Sequence, residues 1–282
     1  MHVRRYPDVE AFLAATGEFL AAREAEHNLL FGICSSLRET PEIYTGPVYL
    51  AAVLDDDDRV VGAALQTPPF RLVLSEIDDP LIGQALAIDT LDRDLPGVAG
   101  PVGEVEAFVA ARVAAGGPPG HHHETDRIFR LDTVRPPRPV AGTRRIAGPA
   151  DRDLVRAWLE GFMIDAFGRA DLAEAESMTD RWINGRGRTL HLWEDGEPVS
   201  LCGIGGPTPR GIRIGPVYTP PAVRGRGYAS ALVAAVSQEA LDGGRRFCFL
   251  FTDAANPTSN HIYQEIGYEH VRDVDIVLFE AR

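Results

Sequence analysis

The alternation of hydrophobic and polar positions gives the two halves of the chain the same order of elements. In the first half, a helical pattern at 8–22 precedes two strand-like runs within 48–67, joined by an acidic turn. In the second half, a helical pattern at 151–163 precedes two strand-like runs within 189–206, joined at Asp195-Gly196. We therefore predict an internal duplication, with two mixed α/β domains.

A proline- and arginine-rich stretch at 133–145 separates the two halves. Proline fixes φ and removes a backbone donor, so this stretch is typical of an extended linker. The predicted boundaries are a first domain at 1–134, a linker at 135–145 and a second domain at 146–282.

A glycine pair connects a strand to a helix in the second half. The run from Gly211 to Thr219 favours a strand, and apolar positions at spacings of three and four predict a helix from about Gly227 to Leu241. Glycines at a helix start let free amides approach an anion, and Arg224 and Arg226 add positive charge. The segment fits a pyrophosphate site, although an ordinary helix start with surface arginines fits it as well.

A second strand and helix follow directly. The apolar run 245–253 is typical of a strand buried on both faces. Asn256 suits an N-cap, Pro257 the first helical position and Gly267 the C′ position of the next helix. Tyr263 lies on the apolar face of that helix.

These two segments resemble the GNAT superfamily of acetyl-CoA-dependent N-acetyltransferases. The family's phosphate motif, Arg/Gln-x-x-Gly-x-Gly/Ala, is matched by Arg224, Gly227 and Ala229. Its later helix motif, Asn-x-x-Ser/Ala-x-x-x-Tyr followed by Gly-Phe or Gly-Tyr, is matched by residues 256–268. The resemblance covers about 143–282.

The resemblance implies a twisted mixed sheet flanked by helices, in which two adjacent strands part and hold the pantetheine arm of acetyl-CoA. It implies no metal. The residues that it places along this co-substrate are Val217, Tyr218, Thr219, Arg224, Gly225, Arg226, Gly227, Tyr228, Ala229, Asn256, Ser259 and Asn260.

The implied reaction is direct attack of a primary amine, on a small molecule or a peptide, on the thioester carbonyl. The tetrahedral intermediate then expels the thiolate, which Tyr263 would protonate. Residues 199–218 hold no Asp or Glu, so the general base is open: a water relay, Glu160 or Asp165. The missing carboxylate also leaves a non-catalytic acyl-CoA-binding or sensing protein as an alternative.

The first half lacks this chemistry. Its turn at 76–80, Glu-Ile-Asp-Asp-Pro, would repel a pyrophosphate, and Asp78 or Asp79 suits an ordinary N-cap. The first half therefore resembles a degenerate GNAT domain that supports the second or shapes the acceptor pocket. Tandem members such as mycothiol synthase have this arrangement, which gives a further alternative function.

Composition narrows the partners. All 28 basic residues are arginine, and the net charge is −13, which argues against nucleic acid and anionic membranes as partners. No apolar run approaches the length of a membrane span, and no secretion signal is visible, so we expect a cytoplasmic monomer or homodimer.

For several other residues, a structural role is favoured over a chemical one. The three cysteines Cys34, Cys202 and Cys248 lie in apolar runs and predict buried free thiols. His121 to His123 predict a solvated loop and Asp55 to Asp58 a hairpin turn, not metal sites. The aromatic residues at 158, 162 and 167 have helical spacing, which favours core positions over acceptor contacts.

Overall fold

The computed structural model describes residues 1–185 and 188–280. Contacts between Cα atoms divide the chain into two compact units. Unit 1 comprises Met1–Ile128 and the residues from Val271 onward, and unit 2 comprises Phe129–His270. The last strand thus lies in unit 1 by contact, whereas the predicted boundaries place it in the second domain. Those boundaries remain a prediction about independent folding.

Unit 1 contains a mixed sheet with helices. Its strands run in the order β1-β2-β3-β4-β5-β12. The strands are β1 (His2–Arg5), β2 (Tyr49–Leu54), β3 (Val60–Gln66), β4 (Leu72–Leu74), β5 (Gly97–Pro101) and β12 (Glu269–Phe279). The helices are α1 (Val9–Ala22), α2 (Asn28–Glu39), α3 (Pro80–Asp89) and α4 (Val102–Ala114). Among the described residues, β4 and β5 pair in parallel, whereas β1–β2, β2–β3, β3–β4 and β5–β12 pair antiparallel.

Unit 2 repeats this plan. Its strand order is β6-β11-β10-β9-β8-β7. The strands are β7 (Thr143–Ile146), β8 (Arg188–Asp195), β9 (Glu197–Gly205), β10 (Gly211–Tyr218), β11 (Phe247–Asp253) and the end of β6 (Gly120–Leu131), whose residues 120–128 belong to unit 1. The helices are α5 (Arg152–Phe167), α6 (Leu172–Ile183), α7 (Tyr228–Asp242) and α8 (Pro257–Ile266).

The two halves of the chain, which end with β6 and β12, share one element order, strand-helix-helix-three strands-helix-strand-helix-strand. The predicted duplication and the mixed α/β class are therefore confirmed. The strand that closes the second half, β12, is exchanged into unit 1, where it pairs with β5. Pairing partners of this kind depend on distant residues, so no local pattern predicts the exchange.

The core of unit 2 lies on both faces of its sheet. One face packs beneath α7 and α8, through residues that include Leu232 and Ile266. The other face packs beneath α5 and α6, through Leu159 and Trp182. Successive side chains of a strand point to opposite faces of the sheet, so neighbouring residues of β10 face different layers.

Most local predictions are confirmed. Asp79 caps α3, Asn256 caps α8 and accepts from the Ser259 amide at 3.0 Å, and Gly267 ends α8 with φ of 109°. All three cysteines are free and buried.

Three predictions need correction or completion. His121 to His123 lie in strand β6, not in a loop, although their side chains are exposed; the pairing comes from neighbours distant in sequence. Phe167 is 60% exposed, so it does not belong to the core. Helices α2 and α6 were not predicted from the sequence.

Candidate active site

Strands β10 and β11 part after a short parallel contact. The pairs are Gly211 with Phe247, Ile212 with Cys248 and Arg213 with Phe249. Beyond Arg213, the described residues of the two strands do not pair. Strand β10 nevertheless runs on to Tyr218, still paired with β9 through Val217 and Tyr218. One edge of β10 therefore presents unpaired backbone groups from Ile214 onward, to which an extended chain can add as a strand.

The loop between β10 and α7 follows this open edge directly along the chain. Gly225 and Gly227 have φ of 75° and 88°, the left-handed region that glycine adopts without strain. Across the described residues, the amides from Gly225 to Ser230 have no recorded backbone or side-chain acceptor. A run of free amides at a helix start is suited to an anion such as a pyrophosphate.

The two arginines of this loop have different surroundings. Arg224 is already engaged: its Nε donates to the Thr219 carbonyl at 2.8 Å, its Nη2 pairs with Asp165, and its Cζ lies 5.7 Å from the centre of the Tyr218 ring. Arg224 thus holds the end of β10 against α5. Arg226 interacts with the hydroxyl of Tyr228, which itself donates to Asp195 at 2.6 Å.

A third arginine lies beside the loop and was not predicted as a site residue. Arg138 belongs to the linker, and its Nη2 would lie 3.9 Å from a β-carbon built on Gly227. Val140 Cγ1 would lie 3.0 Å from the same β-carbon. No ion pair of Arg138 is recorded in the part of the chain that the structure describes. Its only sequence signal is its position in an arginine-rich linker.

Helix α8 places two asparagines near the end of β11. Asn256 is occupied as the cap of α8. Asn260 is 6% exposed, and its Nδ2 donates to the carbonyls of Asp253 at 3.1 Å and Asn256 at 2.7 Å. Its Oδ1 is buried without a hydrogen-bond partner. A buried acceptor of this kind is costly unless a ligand donates to it.

Tyr263 packs in the core layer beneath α7 and α8, next to Cys202. It is 9% exposed, and burial raises the pKa of its hydroxyl well above the usual value. Within the described residues its Oη has no hydrogen-bond partner. The group therefore keeps its proton at neutral pH and can act as a donor.

The candidate bases are both held by arginines. Glu160 pairs with Arg156 one turn away on α5, and Asp165 pairs with Arg224. His191 is a further titratable group of unit 2, but it accepts from Arg144 Nη1 at 2.7 Å through Nδ1. These pairings make none of the three an evident base.

The protonation of His191 gives a stability prediction. Burial, and secondarily Arg144, lowers the pKa of His191 to about 4, so the folded protein holds it neutral. The unfolded chain binds this proton below about pH 6.5, whereas the folded protein does not. The contribution of neutral His191 to folding stability, at most about 3 kcal/mol, is therefore present above that pH and is lost as the pH falls toward 4. We expect the stability difference between the wild type and His191→Gln to shrink from pH 7 to pH 4.5 in denaturant titrations. A difference independent of pH would contradict this assignment.

In unit 1, side chains engage two amides of the loop between β4 and α3. The Glu76 amide donates to His27 Nε2 at 3.0 Å, and the Ile77 amide donates to Glu104 Oε1 at 3.1 Å. Asp79 occupies the cap position of α3. The chain's own side chains thus fill the place that corresponds to the glycine loop of unit 2.

Two negative findings concern the described residues. They include no helix with the length and apolar character needed to cross a membrane. They also include no group of three or more histidine, cysteine, aspartate or glutamate side chains placed to hold a metal ion.

Comparisons with known proteins agree with this geometry. Residues 152–268 match the sequence profile of the acetyltransferase (GNAT) family. No curated protein sequence matches the chain.

Several solved structures are similar over nearly the whole chain. A Drosophila protein has a TM-score of 0.66 at 15% identity, over 99% of this chain and 98% of its own. A GNAT-family acetyltransferase from Colwellia psychrerythraea has a TM-score of 0.57 at 12% identity, over 99% and 100%. A tandem GNAT protein from the clavulanic acid biosynthesis pathway has a TM-score of 0.56 at 13% identity, over 98% and 97%. At these identities the likeness concerns the fold.

Proposed function

We propose that this chain, whose residues 152–268 form a GNAT acetyltransferase domain, transfers an acetyl group from acetyl-CoA to a primary amine. The observation that carries the proposal is the glycine loop at the start of α7, which lies directly after the open edge of β10. An extended pantetheine arm can pair with that edge, and the free amides of the loop can hold the diphosphate.

The residues of unit 2 fit such a co-substrate in two further ways. The orphaned Oδ1 of Asn260 offers an acceptor to an amide donor, which the pantetheine arm contains. Arg138 and Arg226 place positive charge at the loop, while Arg224 fixes the end of β10 through Asp165. Asn256 and Ser259 contribute through the cap that starts α8.

The proposed reaction proceeds by direct transfer. The neutral amine attacks the thioester carbonyl, and an open amide of β10 stabilises the negative charge that develops on the oxygen. The carbon–sulfur bond then breaks, and Tyr263 donates its proton to the departing thiolate. The proton that the amine loses passes to solvent or to a base, and holding the two reactants together supplies part of the rate.

The test is thiol release from acetyl-CoA across a panel of amines, with the N-acetyl product identified by mass spectrometry. The chain's own thiols interfere little, because burial raises the pKa of Cys34 and of Cys248 to about 12. A protein that binds CoA but acetylates no amine would instead be a binding or sensing module.

Arg138 gives a prediction for the phosphate site. We expect Arg138→Ala to weaken CoA binding about tenfold in calorimetry, since a charge-assisted contact to phosphate is worth roughly 1.5–3 kcal/mol. The loss should shrink as salt rises. Arg135→Ala, which removes the same charge from the linker beside Gly267, is the matched control. Equal effects of the two substitutions would contradict a specific role for Arg138.

A further inference from the structure

Arg213 occupies the last paired position of β10 before that strand parts from β11. Its neighbours Ile212 and Ile214 pack in the layer beneath α7, so alternation directs Arg213 to the opposite face of the sheet. There its Cζ lies 5.7 Å from the centre of the Phe251 ring. Gly205 lies directly opposite Arg213 in β9.

The guanidinium of Arg213 lacks a counter-charge. In the described part of the chain, no carboxylate pairs with it and no hydrogen-bond acceptor is recorded for it. Its Nε is fully buried without a partner. Arg130 offers a contrast: its Cζ lies 4.1 Å from the centre of the Phe247 ring, and it pairs with Asp132 at 2.7 Å.

A second buried donor lies on the same face. Trp182 is 6% exposed, and its Nε1 has no hydrogen-bond partner. Its ring lies against the backbone of Gly203, where an added β-carbon would meet Trp182 Cη2 at 2.7 Å and the Gly215 carbonyl oxygen at 2.6 Å. Arg188 lies over this ring, 5.7 Å from Cζ to its centre.

Positive charge therefore collects here in a chain whose net charge is −13. Burial, followed by the like charge of Arg188, lowers the pKa of Arg213 to about 10, so the group stays charged at neutral pH. Arg213 is half-buried, and its buried Nε without a partner costs stability. A chain with 41 acidic residues offers none of its described carboxylates to this arginine, which points to a counter-ion supplied by a ligand.

We propose that the acceptor of acetyl transfer is an amino acid whose carboxylate binds Arg213, on the face of β10 opposite α7. This inference rests on the proposed function. The planar guanidinium suits two-point binding of a carboxylate, and Trp182 can donate from the side. Arg213 adjoins the point where the strands open, so a bound carboxylate holds the attached amine near the open edge of β10.

The test compares each of the common L-amino acids with its carboxamide and with its decarboxylated amine as acceptors. We expect at least one amino acid to exceed its carboxamide by about 100-fold in kcat/KM, as expected for a lost charged partner. The carboxamide has the less basic amine and the larger neutral fraction, so intrinsic reactivity acts against this result.

Variants identify the residue. Arg213→Met should reduce kcat/KM for the amino acid by about 100-fold and bring the ratio to its carboxamide near one, with unchanged CoA affinity. Its melting temperature should equal or exceed that of the wild type, because a half-buried charge without a partner is removed. Arg130→Met, which removes an arginine paired with a carboxylate beside a phenylalanine ring, should leave the preference unchanged.

The outcomes separate the two proposals. If amines are acetylated with no preference for a carboxylate, the acidic acceptor is wrong and acetyl transfer stands. A preference that survives in Arg213→Met also overturns the role of Arg213, and the wild-type ratio remains informative if that variant fails to fold. If no amine of any kind is acetylated, the proposed function fails and this inference fails with it.

Discussion

Replacing Tyr263 with phenylalanine should lower kcat by about 100-fold and leave CoA affinity unchanged. The side chain is 9% exposed, its burial keeps the hydroxyl protonated at neutral pH, and no described residue accepts its proton. It is therefore available to a departing thiolate, which forms after CoA is bound. Initial rates of thiol release and calorimetric titration with CoA measure the two quantities separately.

Tyr268 is a matched control, because its ring lies 5.9 Å from that of Tyr263 in the same core layer. The Tyr268 hydroxyl and Ser237 Oγ are 2.8 Å apart, so Tyr268→Phe should cost about 1 kcal/mol of stability without affecting turnover. Tyr263→Phe removes no such bond and should leave stability nearly unchanged. Full turnover in Tyr263→Phe would exclude the proposed proton donor.

Replacing Gly227 with alanine should weaken CoA binding by about 5- to 150-fold, which corresponds to roughly 1–3 kcal/mol. The backbone at Gly227 has φ of 88°, and an added β-carbon would lie 3.0 Å from Val140 Cγ1. Relief of this strain moves the loop whose amides would hold the diphosphate. The wild type should bind one CoA per chain, since His27 and Glu104 engage two amides of the corresponding loop of unit 1.

Gly244 provides the control at the other end of α7. Its φ is 98°, and nothing lies within 4 Å of an added β-carbon. Gly244→Ala should therefore cost about 1 kcal/mol of stability through backbone strain alone and leave CoA binding intact. Intact binding in Gly227→Ala would place the CoA site elsewhere. Two CoA molecules per chain would contradict the expected single site.

The parts of the fold that the sequence predicted depend on neighbours within a few residues. Helix capping is such a local property, as at Asp79 and Asn256. The same holds for the ends of α7 and α8 at Gly243 and Gly267 and for the glycines of the loop before α7. The repeated element order is likewise visible, because each domain carries the same succession of patterns. Helices α2 and α6 were missed, although both are amphipathic.

Local pattern could not settle which charges remain available at the site. Arg224 and Arg226 stood in the expected motif, yet tertiary contacts engage Arg224 with Asp165 and bring Arg138 from the linker to Gly227. The isolation of Arg213 and the exchange of β12 are likewise invisible in the letters. The sequence by itself determined the elements, their caps and the glycine loop, because these depend on backbone preferences of adjacent residues. Only the tertiary structure decided strand partners and the balance of charge, because both depend on residues that are distant along the chain and meet only on folding.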